Sequence, residues 1–369
     1  QITIVLKILK KLLQSMFKKI FYKIFSFFYG KINGVISKEN DRYNIKKIFI
    51  DDTGYKIYET TKSRLYTDTI HDVAVIIDKK IVEGPSIQLR EHINANPRLN
   101  IIFTKGTPKI LKKLKGTVFS LLIGGGGNYN YWHWLLDIIP KIKILEKDID
   151  NIDYFLFPNI EKKFQQETLH LLNIPSKKIL SSKIFRHIYA DKIVTTDFTY
   201  NLTNNPWQDH LNIPKWIYVF LKEKFIPQIK KSKSLPKKFY IDRGDSVSNS
   251  KNSRIILNES AVKEFLIKNN YETISLANLS FLEQVELFNQ ATSIVGLHGA
   301  GFANLVFSRP KTKVLELKSN TAGDIIKNLA IQNELIYEDI SCEPKNINNR
   351  NQSGDIEINI DLLNEKLHS

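Results

Sequence analysis

From Lys238 onward, short β-branched runs and helix-period runs alternate. KFYIDR (238–243), YETISL (271–276), SIVGL (293–297) and TKVLELK (312–318) read as strands. NESAVKEFLIKNN (258–270) and SFLEQVELFNQA (280–291) read as helices, and HGAGFANLVF (298–307) as a turn followed by a short helix. Ser280 with Glu283 three residues later forms a capping box at the start of the second helix. This βαβαβαβ order is that of a nucleotide-binding half-domain, in which ligands sit at the carboxyl ends of the strands.

The preceding half carries a looser version of the same alternation. IKKIFI (45–50), DVAVIID (72–78), LNIIFT (99–104), VFSLLIGGGG (118–127), DYFLFP (153–158) and KIVTT (192–196) read as strands. Helices are expected over WHWLLDIIPKIKILEKDI (132–149) and EKKFQQETLHLLNI (161–174), so this half is also read as α/β with a mostly parallel sheet. At 369 residues, two or three domains are expected, and a hydrophobic fraction of 42% supports folded cores. IPQIKKSKSLPKK (226–238) is the best linker candidate. The division is a leading segment 1–38, an α/β domain 39–226, a linker 227–238, a Rossmann-like domain 239–340 and a tail or helix 341–369. Two such halves would face each other across a cleft.

Three stretches have the composition of a reacting site. In SIVGLHGAGFANLVF a buried strand runs into His298, Gly299, Ala300 and Gly301. Small residues there let backbone amides converge at a helix start, which suits a diphosphate; tight packing between strand and helix is the plainer explanation. Glu316, near the end of the following strand, is placed to accept hydrogen bonds from ribose hydroxyls. Arg243 at a strand end and Arg254 further along the same loop are candidate phosphate clamps, because guanidinium forks match phosphate oxygens. In GGGGNYNYWHWLLDIIP, Gly126, Gly127 and Asn128 permit close backbone approach, and His133 and Asp137 stand at i and i+4. A carboxylate that orients an imidazole makes it a better general base; a core histidine capped by a carboxylate is the alternative.

The net charge of +16 points to an anionic partner. Half of it comes from Lys7, Lys10, Lys11, Lys18, Lys19, Lys23, Lys31 and Lys38, and no acidic residue precedes Glu39. Ile2, Leu6, Leu9, Leu13, Met16, Ile20 and Ile24 recur at helical spacing opposite Lys7, Lys11, Gln14 and Lys18, which predicts an amphipathic helix lying on an anionic membrane surface, with a helix docked on its own domain as the alternative. Its lysines interrupt every apolar run, so it is too polar to span a bilayer and makes a poor signal peptide. Lys230, Lys231, Lys233, Lys237 and Lys238 cluster at the linker, and no recognition module accompanies them, so nucleic acid is not expected as a partner. The single Cys342 excludes an internal disulfide. The chain has no GxxxxGK[ST], GxSxG, HExxH or CxxC motif, and Asp148 and Asp150 fall in a charged helix end rather than at a buried strand.

Together these residues resemble glycosyltransferase family 61 from about Gly124 to Lys318. The most specific matches are Tyr240 to Arg243, Arg254 to Asn258 and Glu259, Glu283 and Gln284, His298 to Gly301 with Asn304, and Glu316; His133 to Asp137 with Pro140 also resembles a family motif. Asp242 stands where a small residue is commoner and Phe302 where leucine is usual. The resemblance implies a GT-B fold of two Rossmann-like domains with the donor held mainly by the second. It further implies inverting transfer from a nucleotide-sugar, a UDP-sugar by expectation, with no metal or other cofactor. Arg243, Arg254, Asn258, Glu259, Gln284, His298 to Gly301, Asn304 and Glu316 would then serve the donor, and His133 or Asp137 would serve as the base. The expected acceptor is a glycan or lipid-linked glycan of a bacterial capsule or surface polysaccharide, with the protein peripheral to the cytoplasmic face of the membrane and a homodimer allowed. A noncatalytic scaffold of a membrane polysaccharide-assembly complex is the competing expectation.

Overall fold

The computed structural model describes the chain apart from Gln1, residues 69–71, 87–96, 125–129, 201–205, 231–233, 245–253, 346–353 and Ser369. Its first element is a helix over Ile2–Tyr29. One side of the last turns is anchored on the body of the protein. The Tyr29 ring stands edge-on to His187 at 4.8 Å, the Tyr29 hydroxyl accepts the Leu111 amide at 3.0 Å, and Tyr22 lies over Gly106. Gly106 has φ +59°, and a Cβ there would come within 3.0 Å of the Tyr22 ring, so both backbone and space favour glycine.

The first sheet contains β1 (Gly34–Ile36), β2 (Tyr43–Ile50), β3 (Thr53–Thr67), β4 (Val73–Ile77), β5 (Lys80–Val82), β6 (Lys112–Ser120), β7 (Tyr154–Phe157), β8 (Ile179–Ser181) and β9 (His187–Thr196). Their order is β1-β5-β4-β3-β9-β6-β7-β8, with β2 paired to β3. Only part of this sheet meets the expectation of parallel pairing. β9, β6, β7 and β8 run parallel, whereas β3 pairs antiparallel with β2, β4 and β9, and β4 with β5. The sheet is therefore mixed, since β2 to β5 are joined by connections too short for helical crossovers. The expected strand at 99–104 is a 3-10 turn Pro97–Leu99 followed by a helical turn Ile102–Lys105 that ends at Gly106. A buried Asp72 carboxylate accepts the Ile101 amide at the start of that turn, a contact the local sequence does not announce.

The second sheet contains β10 (Lys238–Asp242), β11 (Glu272–Ser275), β12 (Ser293–Leu297), β13 (Lys313–Ser319) and β14 (Ile336–Cys342), all parallel, in the order β11-β10-β12-β13-β14. This is a doubly wound order: the chain leaves β10 to one side for β11, then crosses to the other side for β12. Helices Glu259–Lys268, Phe281–Gln290 and Ile325–Gln332 supply the crossovers, with a 3-10 segment Ala300–Phe307 between β12 and β13. The capping box forms as read, with Ser280 Oγ accepting the Glu283 amide and Glu283 returning a bond to the Ser280 amide. The C-terminal helix Ile360–His368 packs on the helix Glu259–Lys268, burying Leu363.

One apolar core is continuous between the two sheets. Helix Lys215–Phe225, although it precedes the linker, lays Phe225 edge-on to Phe281 at 4.8 Å and near Phe307 at 6.3 Å. Its Tyr218 hydroxyl and Lys222 ammonium donate to Gln332 and Asn333 of the second half, each at 2.7 Å. Each ring so withdrawn from water contributes roughly 1.5–3 kcal/mol. The Glu167 carboxylate also accepts the Phe281 amide at 2.8 Å, so a residue of the first half helps cap a helix of the second.

Candidate functional site

The switch point of the second sheet lies between the carboxyl ends of β10 and β12, where strand connections leave in opposite directions. Arg243 follows β10 and His298 follows β12. Arg243 Nη1 donates to the His298 carbonyl at 2.7 Å, laying the guanidinium across the glycine turn. A Cβ on Gly299 would come 2.9 Å from Arg243 Nη1 and one on Gly301 2.9 Å from Leu276 Cδ1, so a larger residue at either position would displace the Arg243 guanidinium or the Leu276 side chain from the turn.

Arg254 completes this corner. It is half-buried, its Nη1 is buried without a hydrogen-bond partner, and burial together with the Arg243 charge pulls its pKa down to about 10. Two guanidinium groups held near each other, one with an unused buried donor, form a site that an anion would stabilise. Asp242, an unfavourable neighbour for a diphosphate, is occupied elsewhere: Oδ1 accepts the Gly244 amide at 2.9 Å and Oδ2 lies 3.2 Å from Lys263 Nζ.

The remaining expected donor contacts are distributed differently. Glu316 is fully buried beneath His298, with Oε1 bonded to His298 Nδ1 and Oε2 accepting the Tyr337 hydroxyl at 2.5 Å. It therefore orients His298 rather than presenting a carboxylate at an open strand end. Burial and the Glu316 charge keep the Tyr337 phenol protonated. Asn258 makes two bonds to the backbone of Ile358, and Glu259 accepts from Tyr240 and faces Lys263. Gln284 donates to Leu276 O at 2.9 Å and accepts from Asn304, whose Oδ1 accepts the Tyr131 hydroxyl at 2.6 Å. These side chains have internal partners, and the Tyr131–Asn304 bond joins the two halves. Gly126, Gly127 and Asn128 lie outside the described residues.

Tyr131 opens the second part of the site. The Asn130 carboxamide caps the turn Tyr131–His133 by accepting the Trp132 amide, and a π turn follows over Trp134–Ile138, closed by Ile139 N to Trp134 O at 3.1 Å. Such one-turn widenings interrupt the i to i−4 ladder and recur at functional sites. The expected single helix over 132–149 is thus broken at its start, and the same broken turn carries both candidate catalytic groups. Trp134 is sunk in the core with Nε1 donating to Thr168, and this fixes the direction of its neighbours.

His133 Nδ1 meets Asp137 Oδ2 at 2.6 Å. His133 is 25% exposed by side chain and Asp137 1%, so one ring is open to an incoming group while its partner is sealed. Burial raises the Asp137 pKa, but His133 and His210 more than reverse this and hold the carboxyl below the usual aspartate range. His210, which no sequence pattern singles out, places Nε2 3.8 Å from the same Oδ2 and accepts or donates a 2.8 Å bond with Tyr200. His133, Asp137 and His210 bring potential ligand atoms within 4.8 Å of one another, a donor set that a divalent transition metal accepts. The 2.6 Å separation between His133 and Asp137 is nevertheless that of a hydrogen bond, shorter than the roughly 3 Å or more between neighbouring ligands about 2 Å from one tetrahedral ion.

Among known proteins, the family described as Glycosyltransferase 61 matches residues 131–315, from the turn bearing His133 to the residue before Glu316. No curated protein matches the chain.

Proposed function

The chain belongs to glycosyltransferase family 61, and from that membership we propose that it transfers a sugar from a nucleotide diphosphate donor, a UDP-sugar, to a hydroxyl of a glycan or lipid-linked glycan, with inversion and without a metal. The observation that carries this reading is the unpartnered, buried Arg254 Nη1 beside Arg243 at the sheet's switch point. The donor diphosphate would lie there, against the turn Gly299–Gly301, with the two arginines countering charge as it builds on the leaving oxygen. His133 Nε2 would take the acceptor proton while Nδ1 stays bonded to Asp137. The acceptor oxygen would form the new bond to the anomeric carbon from the face opposite the departing diphosphate, and inversion follows. The two Rossmann-like halves would then face each other in the GT-B manner, with the Tyr131–Asn304 bond keeping the base close to the donor loop.

The test is product analysis with a panel of UDP-, GDP- and CMP-sugars, scored first for sugar release and then with oligosaccharide acceptors. Release from a UDP-sugar in metal-free buffer, giving a product of inverted configuration, supports the reading. Dependence on added Mn2+, or a retained configuration, overturns it.

The proposed setting is bacterial capsule or surface-polysaccharide synthesis at the cytoplasmic face of the membrane. No helix among the described residues is long and apolar enough to cross a membrane. The leading helix supports a peripheral attachment. While Tyr22, Phe25, Ser26 and Tyr29 turn toward the protein, Met16, Phe17, Ile20, Phe21, Ile24, Phe27 and Phe28 are exposed along the adjoining arc, Phe27 by 84% and Phe28 by 71%. Exposed Lys19 and Lys23 border that arc, and an anionic leaflet would attract each by about 1 kcal/mol. Phe27→Gln with Phe28→Gln is expected to weaken sedimentation with phosphatidylglycerol vesicles by at least about tenfold, with Tm unchanged. Equal binding of variant and parent would remove the helix from this role.

A further inference from the structure

We propose that His210, backed by Tyr200, is a positioning residue for the His133–Asp137 pair, standing beside the same Asp137 carboxylate oxygen that His133 meets. The inference rests on the reading of His133 as the base and adds a third member, its second imidazole, that arrives from a separate segment.

A general base must be neutral before it accepts a proton, so in the resting site His133 cannot supply the positive charge that a sealed carboxylate needs. Asp137 Oδ2 accepts from His133, while Oδ1 is buried and has no partner. The next imidazole is His210, with Nε2 3.8 Å from Oδ2 and its ring 5.3 Å from the His133 ring. Tyr200 fixes the direction of that ring: its hydroxyl lies 2.8 Å from His210 Nε2, and the two rings are 5.1 Å apart. Burial, then the Asp137 charge and a hydrogen bond to that carboxylate, then the Asp209 charge, keep the Tyr200 phenol protonated, so it remains a donor shared between His210 and Asp137. His210 can therefore accept from Tyr200 when neutral, or present Nε2–H toward Asp137 when charged. In the second state it balances the buried carboxylate while His133 is empty, keeping Asp137 ionised and His133 in the Nδ1–H tautomer. The ionisable groups identified around His210 are His133, Asp137, Tyr200 and the buried Asp209.

The test compares His210→Ala, His210→Gln and Tyr200→Phe in the full chain, measuring kcat, donor KM and the pH profile of kcat/KM. His210→Ala is expected to lower kcat about 10- to 100-fold with donor KM within about twofold, and to move the acid limb of the profile by about half a unit or more. Gln, whose amide nitrogen can stand near the former Nε2, should recover at least about tenfold of the loss, and Tyr200→Phe should lower kcat less than His210→Ala does. Unchanged kcat and an unmoved limb in His210→Ala overturn the proposal. So does a Co2+ absorption band lost in His210→Ala together with activity that requires the ion, since the three groups would then be metal ligands. If His133→Ala keeps full kcat, the base assignment itself fails; if only His210→Ala does, that assignment stands and this inference alone falls.

Discussion

Asp137→Asn is expected to reduce kcat by about 10^3- to 10^4-fold while UDP affinity, measured by calorimetry, stays within about twofold. The substitution preserves shape but replaces the acceptor facing His133 Nδ1 at 2.6 Å with an uncharged amide. An amide NH2 turned toward the ring would favour the tautomer with its proton on Nε2, which would disable the atom proposed to accept the acceptor's proton. The loss of buried charge removes the stabilisation of the imidazolium as well. His133→Ala should fall by a similar factor, and the double variant should fall little further, because the two groups act as a unit. Substantial turnover in Asp137→Asn would place the base elsewhere. Because His133 and His210 hold the Asp137 carboxyl below the usual aspartate range, its charge stabilises the fold at neutral pH, and the asparagine variant is also expected to show a lowered Tm.

Arg254→Ala is expected to weaken UDP binding by about 10- to 150-fold, the equivalent of roughly 1.5–3 kcal/mol for a hydrogen bond to a charged group. Its distinguishing signature is stability. A residue present for the fold lowers Tm when removed, whereas Arg254 holds a guanidinium in a half-buried place with Nη1 unsatisfied and Arg243 repelling it. Its removal should leave Tm unchanged or raise it in the absence of donor, the pattern of a site strained for function. Arg254→Lys should recover little, because an ammonium cannot reproduce the fork. Undiminished UDP affinity with a lowered Tm would instead make Arg254 a structural residue.

Much of the second half was legible because its signals are local. The pairing of β10, β11, β12 and β13 follows from strands separated by helices, and the Ser280–Glu283 box forms within one turn. β3 carries no local strand signal because GYKIYETTKSRLYT interleaves buried Tyr55, Ile57, Tyr58 and Leu65 with Lys, Glu and Thr, so it contains no apolar run. The stretch LNIIFT differs for the opposite reason: it is apolar enough for a strand but short enough for a helical turn, and Gly106 and Asp72 decide the matter.

Sequence alone determined what lies within a few residues: the His133–Asp137 spacing, the arginine after β10, the small residues that let Arg243 cross the turn, and the leading basic helix. Those follow from covalent geometry, since i and i+4 side chains meet on one helical turn and a strand end aims its next residue at the switch point. Tertiary structure alone decided which polar side chains take partners within the protein. Asn304, Gln284, Asn258 and Glu316 carry the same chemistry as ligand-binding groups, and only packing turned them inward, because a buried polar atom must find whatever partner the fold brings to it. For the same reason His210 and Tyr200 became visible only in three dimensions. A sealed carboxylate at Asp137 needs compensating groups, and the chain supplied them from a separate segment of the fold.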